Sequence, residues 1–451
     1  MNSVSKKNKY EIDMCNGSIM DKLISFSLPL MLSGILQLMF NAVDIVVVGR
    51  FSGSQALAAV GSTSALINMF TNLFIGVSLG ANVLAARFYA SGRSKEMSET
   101  VHTSITFALI SGIVMVFVGL FFSRFALELM ATPPDVINQA ALYMKIYFLG
   151  MPFFMLYNYG AAILRAVGDT KRPLFFLIAA GLINAGLNMV LVIVFHLGVA
   201  GVAIATVISQ LVSCVLVLRC LYQSDSSYQL RFSKLTLKKN HLKQIFQVGI
   251  PAGIQSTVIN FSNVLLQSSV NSFGSIAMAG YTAANNIFGF LFVAVNSVTQ
   301  ACMSFTSQNY GLRKLKRMDK ILIDCLILTV VVSLVLGGGV YLFGAEILRL
   351  YTEEAEVIRC GIEIFAYTTV TYFLCGIMDL FPGALRGMDR STVPMILSVI
   401  GTVGTRIVWV FWLFPAHRSL AFLFISYPAS WLITIAMQVI CFYFVRRKVH
   451  G

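Results

Sequence analysis

Two carboxylates stand where carboxylates are costly. Asp44 and Asp379 lie inside long apolar runs, and a charge at hydrocarbon depth costs about 3 kcal/mol or more unless it meets a cavity or a partner. An acid retained there is a candidate carrier of a proton or a cation. Asp44 precedes Arg50 by six residues, so at a rise of ~1.5 Å per residue it sits ~9 Å below the outer end of its helix. Asn184 and Asn188 are spaced i, i+4 on one helix face, at comparable depth. Three oxygen-bearing side chains at one height can hold a hard cation such as Na+, or tune the proton affinity of Asp44. The competing reading makes Asp44 a structural acid and the asparagines ordinary interhelical hydrogen-bonders. A second set is Asp379 and Arg406. The first lies seven residues before Arg386 and the second twelve beyond Pro394, heights that differ by ~8 Å and that a long Arg can bridge. They are expected to form a charged pair, either a static salt bridge or part of a gate. Gln37, Phe40, Tyr157, Asn260, Asn285 and Gln300 are candidate contacts to a transported molecule.

These residues need membrane-spanning helices to position them. With 57% hydrophobic and 12% charged residues, the chain cannot close as a soluble globule of 451 residues without exposing apolar surface. Runs of the ~20 residues needed to cross a bilayer recur throughout. The spans fall at 23–49, 56–86, 101–122, 138–164, 173–195, 198–220, 244–271, 276–308, 321–343, 357–385, 394–414 and 421–445, an all-α integral membrane protein of twelve transmembrane helices. A cytoplasmic segment (1–22), an N-terminal six-helix lobe (23–220), a cytoplasmic linker (221–243), a C-terminal six-helix lobe (244–445) and a cytoplasmic tail (446–451) follow. The linker, rich in Arg and Lys, reads as a solvated tether. No cleavable signal is visible in residues 1–22.

The net charge of +14 follows the membrane. Counted along this topology, 26 of the 33 Lys and Arg fall on one side and five on the other, which predicts both termini in the cytoplasm and a multi-pass protein of the cell inner membrane. Charges spread over seven loops give no nucleic-acid patch. The eight cysteines have no paired spacing and read as packing residues. His102, His196, His241, His417 and His450 are scattered, which argues against an enzyme. No Gly-rich phosphate loop and no cofactor motif is present, and no filter-like loop suggests a channel.

The sequence also repeats. At an offset of 222, Pro29 falls on Pro251 and Asn41 on Asn263. At 221, Ser54, Tyr89, Val136, Arg165 and Pro173 fall on Ser275, Tyr310, Val357, Arg386 and Pro394. Two six-helix lobes related by internal duplication share one orientation, a plan that places substrate sites at the repeat interface and moves by rocking. Asp379 and Arg406 have Asn158 and Ala185 as repeat partners, so the lobes differ chemically.

Leu28-Pro29-Leu30 with Asp44 in Val43-Asp44-Ile45-Val46-Val47-Val48-Gly49, the turn Leu164-Arg165-Ala166-Val167-Gly168-Asp169-Thr170 before Pro173, and its counterpart Gly383-Ala384-Leu385-Arg386-Gly387-Met388 before Pro394 resemble the multidrug and toxic compound extrusion family. The resemblance covers residues 20 to 445. It implies a V-shaped pair of lobes, alternating access, and export of small organic, often cationic compounds in exchange for Na+ or H+, with a monomer as the functional unit. The family commonly has Asn-x-x-x-Asp where this chain has Asn184-x-x-x-Asn188, which removes one negative charge. The alternative is a lipid-linked oligosaccharide flippase of related fold. That function calls for several cavity cations, and here only Arg406 and Lys145 lie within spans.

Overall fold

In the computed structural model, which describes residues 9–130 and 132–450, every regular element among the described residues is helical. The first half runs α1 (Met20–Phe51), α2 (Gly53–Ala90), α3 (Ser94–Leu129), α4 (Ile137–Leu149), α5 (Met151–Ala166), α6 (Lys171–Asn188) and α7 (Gly198–Tyr222). The second repeats it as α8 (Lys239–Asn271), α9 (Ser275–Gly311), α10 (Leu315–Leu342) with the short α11 (Gly344–Arg349), α12 (Ala355–Thr368), α13 (Tyr372–Gly387), α14 (Thr392–Ser398), α15 (Thr405–Val408) and α16 (Leu420–His450). Among the described residues nine stretches are long and apolar enough to cross a membrane, and two more qualify as bent pairs. The twelfth expected span is α8. It occupies α1's place in the repeat and is more polar, carrying Gln255, Asn260, Ser262, Asn263 and Gln267.

The bent pairs sit at one repeat position and bend for different reasons. α4 and α5 meet at 47° around Gly150, with Pro152 in the first turn of α5; proline cannot donate to the carbonyl four residues back and its ring crowds it. α12 and α13 meet at 51° without Gly or Pro in the break. There the hydroxyls of Thr368, Thr369 and Thr371 donate back to the carbonyls of Ile364, Phe365 and Tyr367 at 2.6, 2.7 and 2.9 Å, competing with the backbone ladder.

Backbone handedness carries the duplication more sharply than side-chain identity does. Positive φ recurs at offset 221 as Gly53 (86°) and Gly274 (98°), Gly92 (67°) and Arg313 (55°), and Gly168 (96°) and Asp389 (60°). The left-handed turn survives even where the glycine has been replaced.

Contacts group the described chain into two units: residues up to Asp13 with Leu32–Gly249, and Met14–Met31 with the chain from Ile250 onward. This departs from the expected lobe limits of 23–220 and 244–445. In the second unit, the start of α1 buries Leu23 and Phe26, and Phe26 meets Phe305 edge-on at 5.6 Å. In the first unit, the start of α8 buries Ile245, and Gly249 lies so close to α2 that an added Cβ would fall 2.5 Å from Val77 Cα.

The linker is not the solvated tether expected. It belongs to the first unit, where Tyr228 and Leu230 are fully buried and the Tyr228 hydroxyl donates to Glu11 at 2.6 Å. The Arg231 and Lys238 amides donate to His102 Nε2 at 3.1 Å and Thr103 Oγ1 at 3.2 Å. The described part of the N-terminal segment is also tied down, Glu11 accepting a second bond from Tyr89 at 2.8 Å. In the second unit, Asn309 donates to the Met14 carbonyl at 3.1 Å and Arg317 to those of Asn16 and Gly17, both at 3.0 Å. The tail continues as helix to His450, and Arg446 pairs with Asp319 at 2.6 Å.

Candidate functional site

The first unit gathers the acid and both asparagines that the sequence singles out. α6 and α7 form a tightly packed helix pair, and α6 brings Asn184 and Asn188, both buried, toward Asp44 of α1. Asn188 Nδ2 donates to Asp44 Oδ1 at 2.5 Å and to Asn184 Oδ1 at 3.2 Å. The site has a fourth member that the sequence reading missed. Thr206 of α7 places its hydroxyl 3.5 Å from Asp44 Oδ2 and 3.5 Å from Asn184 Nδ2, while also donating to its own Val202 carbonyl at 3.0 Å.

Immediately after Asn188, Met189–Val194 adopts a π-helical turn, a distortion that widens the ladder and is common beside functional groups. Asn188 Oδ1 is buried with no hydrogen-bond partner. A buried amide oxygen without a donor is costly; beside a carboxylate, a second amide and a hydroxyl, it is also an available ligand for a hard cation. These oxygens fit Na+ by donor type.

The second unit does not form the expected Asp379–Arg406 pair. Arg406 is buried, but Nη1 donates to Ser262 Oγ at 2.8 Å and Asn263 Oδ1 at 2.7 Å, and its guanidinium carbon lies 4.6 Å from the Tyr427 ring centre. Among the described residues Asp379 has no cation within 4.0 Å, and Arg386, two helical turns along α13, donates to Gln255 at 2.6 Å. Depth arithmetic placed Asp379 and Arg406 within reach; the Arg406 guanidinium is instead committed to Ser262 and Asn263 of α8.

The candidate substrate contacts divide. Gln37, Asn260 and Asn285 are exposed polar side chains on their units at membrane depth, where lipid contact is unfavourable and a watery cavity is not. Phe40 fits against Gly181. Tyr157 is buried and its hydroxyl donates to the Pro173 carbonyl at 3.2 Å, so its polar atom is already committed. Gln300 donates to Asn296 within α9 at 2.8 Å.

At the turn between α5 and α6, Asp169 is fully buried. It pairs with the Arg172 side chain and accepts the Arg172 amide at 3.1 Å, satisfying one free amide of the first turn of α6. Burial raises its pKa despite the opposing pull of Arg172.

A duplicated array of membrane-crossing helices, each half built on the same breaks and turns and one half holding an acid–amide–hydroxyl cluster at membrane depth, is the architecture of a polytopic membrane transporter. The MatE family model matches residues 29–190 and again residues 251–412, and the chain belongs to that family of membrane transporters. It is 29% identical over 434 residues to the "Probable multidrug resistance protein YoeA" of Bacillus subtilis (strain 168), covering 94% of this chain and 93% of that one. It is 23% identical to the "Multidrug export protein MepA" of Staphylococcus aureus (strain NCTC 8325 / PS 47), covering 84% of each. Among solved structures it superposes on "Crystal structure of MATE in complex with MaL6" with a TM-score of 0.89 at 19% identity, over 98% of this chain and 99% of that one. A "MOP superfamily transporter from Pyrococcus furiosus", whose title speaks of "reverse polarity of binding pocket", superposes with a TM-score of 0.89 at 20% identity over 99% of each.

Proposed function

We propose that the protein exports organic compounds, cationic ones among them, from the cytoplasm in exchange for Na+ or H+, and that Asp44 is the group which takes up and releases the coupling ion. The observation that carries this reading is the Asp44–Asn184–Asn188–Thr206 cluster, in which one carboxylate at membrane depth is held only by neutral donors. With no cation paired to it among the described residues, Asp44 is left to be neutralised by a proton or by Na+. Relatives named for multidrug export and resistance supply the cargo class. The driving force is sufficient without a nucleotide: one cation moving inward through the membrane potential supplies ~2.3 kcal/mol per 100 mV, or about fifty-fold accumulation.

The test is transport of a fluorescent organic cation by the protein in liposomes, with Na+ and H+ gradients imposed one at a time. One of the two gradients should drive transport in the wild type, and Asp44→Asn should abolish it. Transport that persists undiminished in Asp44→Asn would remove Asp44 from the mechanism. If neither gradient moves any tested cation, the antiport reading fails.

A further inference from the structure

The second unit holds a buried cation with no counter-charge. Arg406 is 2% exposed, and no Asp or Glu among the described residues lies within 4.0 Å of it. Its named partners are neutral: Ser262, Asn263 and the face of Tyr427. Nε is buried and unpartnered. Asp379 of α13 makes no ion pair with Arg406. Hydrogen bonds to neutral groups and a ring face offset part of the desolvation of a guanidinium, but they do not neutralise it.

The surroundings are built around this side chain. π-helical turns flank it on both sides, at Val399–Gly404 and Trp409–Leu413, leaving only the four residues of α15 as regular helix. The first unit has its π turn at the corresponding helix, directly after Asn188 of the Asp44 cluster. Arg406 itself falls on Ala185, next to Asn184, so the corresponding helix pairs of the two repeats carry a base in one unit and an acid in the other, at different positions. Asn263 and Tyr427 are only half-buried, so the cluster reaches the surface of its unit on that side.

We propose that Arg406, with Ser262, Asn263 and Tyr427, forms a site for a compact monoanion, either the carboxylate of a transported compound or a free halide. A single guanidinium neutralises a single negative charge, and its planar donors suit a carboxylate edge. This site is separate from the Asp44 cluster and does not rest on the coupling role given to that residue.

All three tryptophans, Trp409, Trp412 and Trp431, lie in the second unit; Trp409 follows Arg406 by three residues, and the Trp431 ring is 5.7 Å from that of Tyr427. Tryptophan fluorescence of the purified full-length protein in nanodiscs, excited selectively over tyrosine, thus reports on this unit alone. Titration with benzoate and, separately, with bromide at constant ionic strength should give a saturable change. Saturation by both marks a general monoanion site, and saturation by benzoate alone marks a site for a substrate's acid group. Arg406→Gln should weaken the response by roughly ten- to a hundred-fold, the equivalent of losing one hydrogen bond to a charged group, while Lys145→Gln, which removes a cation from the other unit, should leave it intact. A wild-type protein showing only linear, collisional quenching by bromide and no saturable response to benzoate would overturn the proposal, whatever the fate of the Arg406 variant.

Discussion

At the scale of single residues, the chain's departure at Asn188 is the most informative position. The Asn188 amide already lies 2.5 Å from Asp44, so Asn188→Asp would set two carboxylates side by side. Such a pair either shares a proton or captures a cation. Sodium should therefore raise the thermal unfolding midpoint of Asn188→Asp well beyond that of the wild type; at sodium levels about a hundred times the dissociation constant the gain is about 2.7 kcal/mol. Equal sodium responses in the two proteins would mean that residue 188 is not part of an ion site. Thr206→Val removes a neutral hydroxyl that donates to the carboxylate and should shift the midpoint of transport against ion concentration about five-fold, the worth of ~1 kcal/mol: Na+ binding weakens because an oxygen is lost, whereas proton binding tightens because the charged carboxylate loses a donor. Asp44, Asn184 and Asn188 were legible in the sequence because each is an oddity in an apolar run whose depth follows from helical rise. Thr206 was not: threonine is common in transmembrane helices because its hydroxyl can satisfy itself on its own backbone, as Thr206 does on Val202.

Elements were legible where composition sets them and obscure where backbone conformation does. Twelve apolar runs gave the spans, and Gly150 with Pro152 marks the first bend. Its counterpart depends on three threonines bonding backwards, and the π turns depend on ladder spacing, neither of which leaves a compositional trace. The linker was misread because its charges outweighed Tyr228 and Leu230, the two side chains that anchor it. At the α5–α6 turn, Gly168 has φ 96° and an added Cβ would fall 2.5 Å from the Ile12 carbonyl oxygen. Gly168→Ala should lower the unfolding midpoint, at a cost of about 1–3 kcal/mol, whereas the Asp389 position across the repeat already tolerates a side chain. The Tyr228 anchor also has a pH signature. Burial first, then the bond to Glu11, pushes the phenol from 10.0 up to about 12. A group whose pKa is raised on folding contributes stability that is complete below its unfolded value and is lost as pH climbs through the folded one. Proteolytic nicking of the linker should accordingly rise between pH 10.0 and about 12, and in Tyr228→Phe that pH dependence should flatten.

For the whole molecule, the repeat was visible in side-chain offsets of 221 and 222, and the structure extends it to matching bends and matching left-handed turns. The unit limits were not visible, because hydropathy marks where helices cross and says nothing of which neighbours a helix chooses once inside. Residues 239–249 pack into the first unit, and residues 14–31 into the second. Fragments cut between residues 236 and 237 should each fail to accumulate alone and should recover a folded, co-purifying pair when expressed together; stable accumulation of the 1–236 fragment by itself would contradict that packing.

The exchange of helix starts also orders biogenesis. An N-terminal unit that needs residues as late as 249 cannot finish packing when its own last helix, ending at Tyr222, has entered the bilayer. It must wait, partly assembled, until the first turns of the second repeat emerge from the ribosome. The start of α1 waits longer still, having been made first and finding its neighbours only when the second unit arrives. Two copies of an ancestral six-helix unit have thus become one folding event, in which neither half is a finished product before the other has begun.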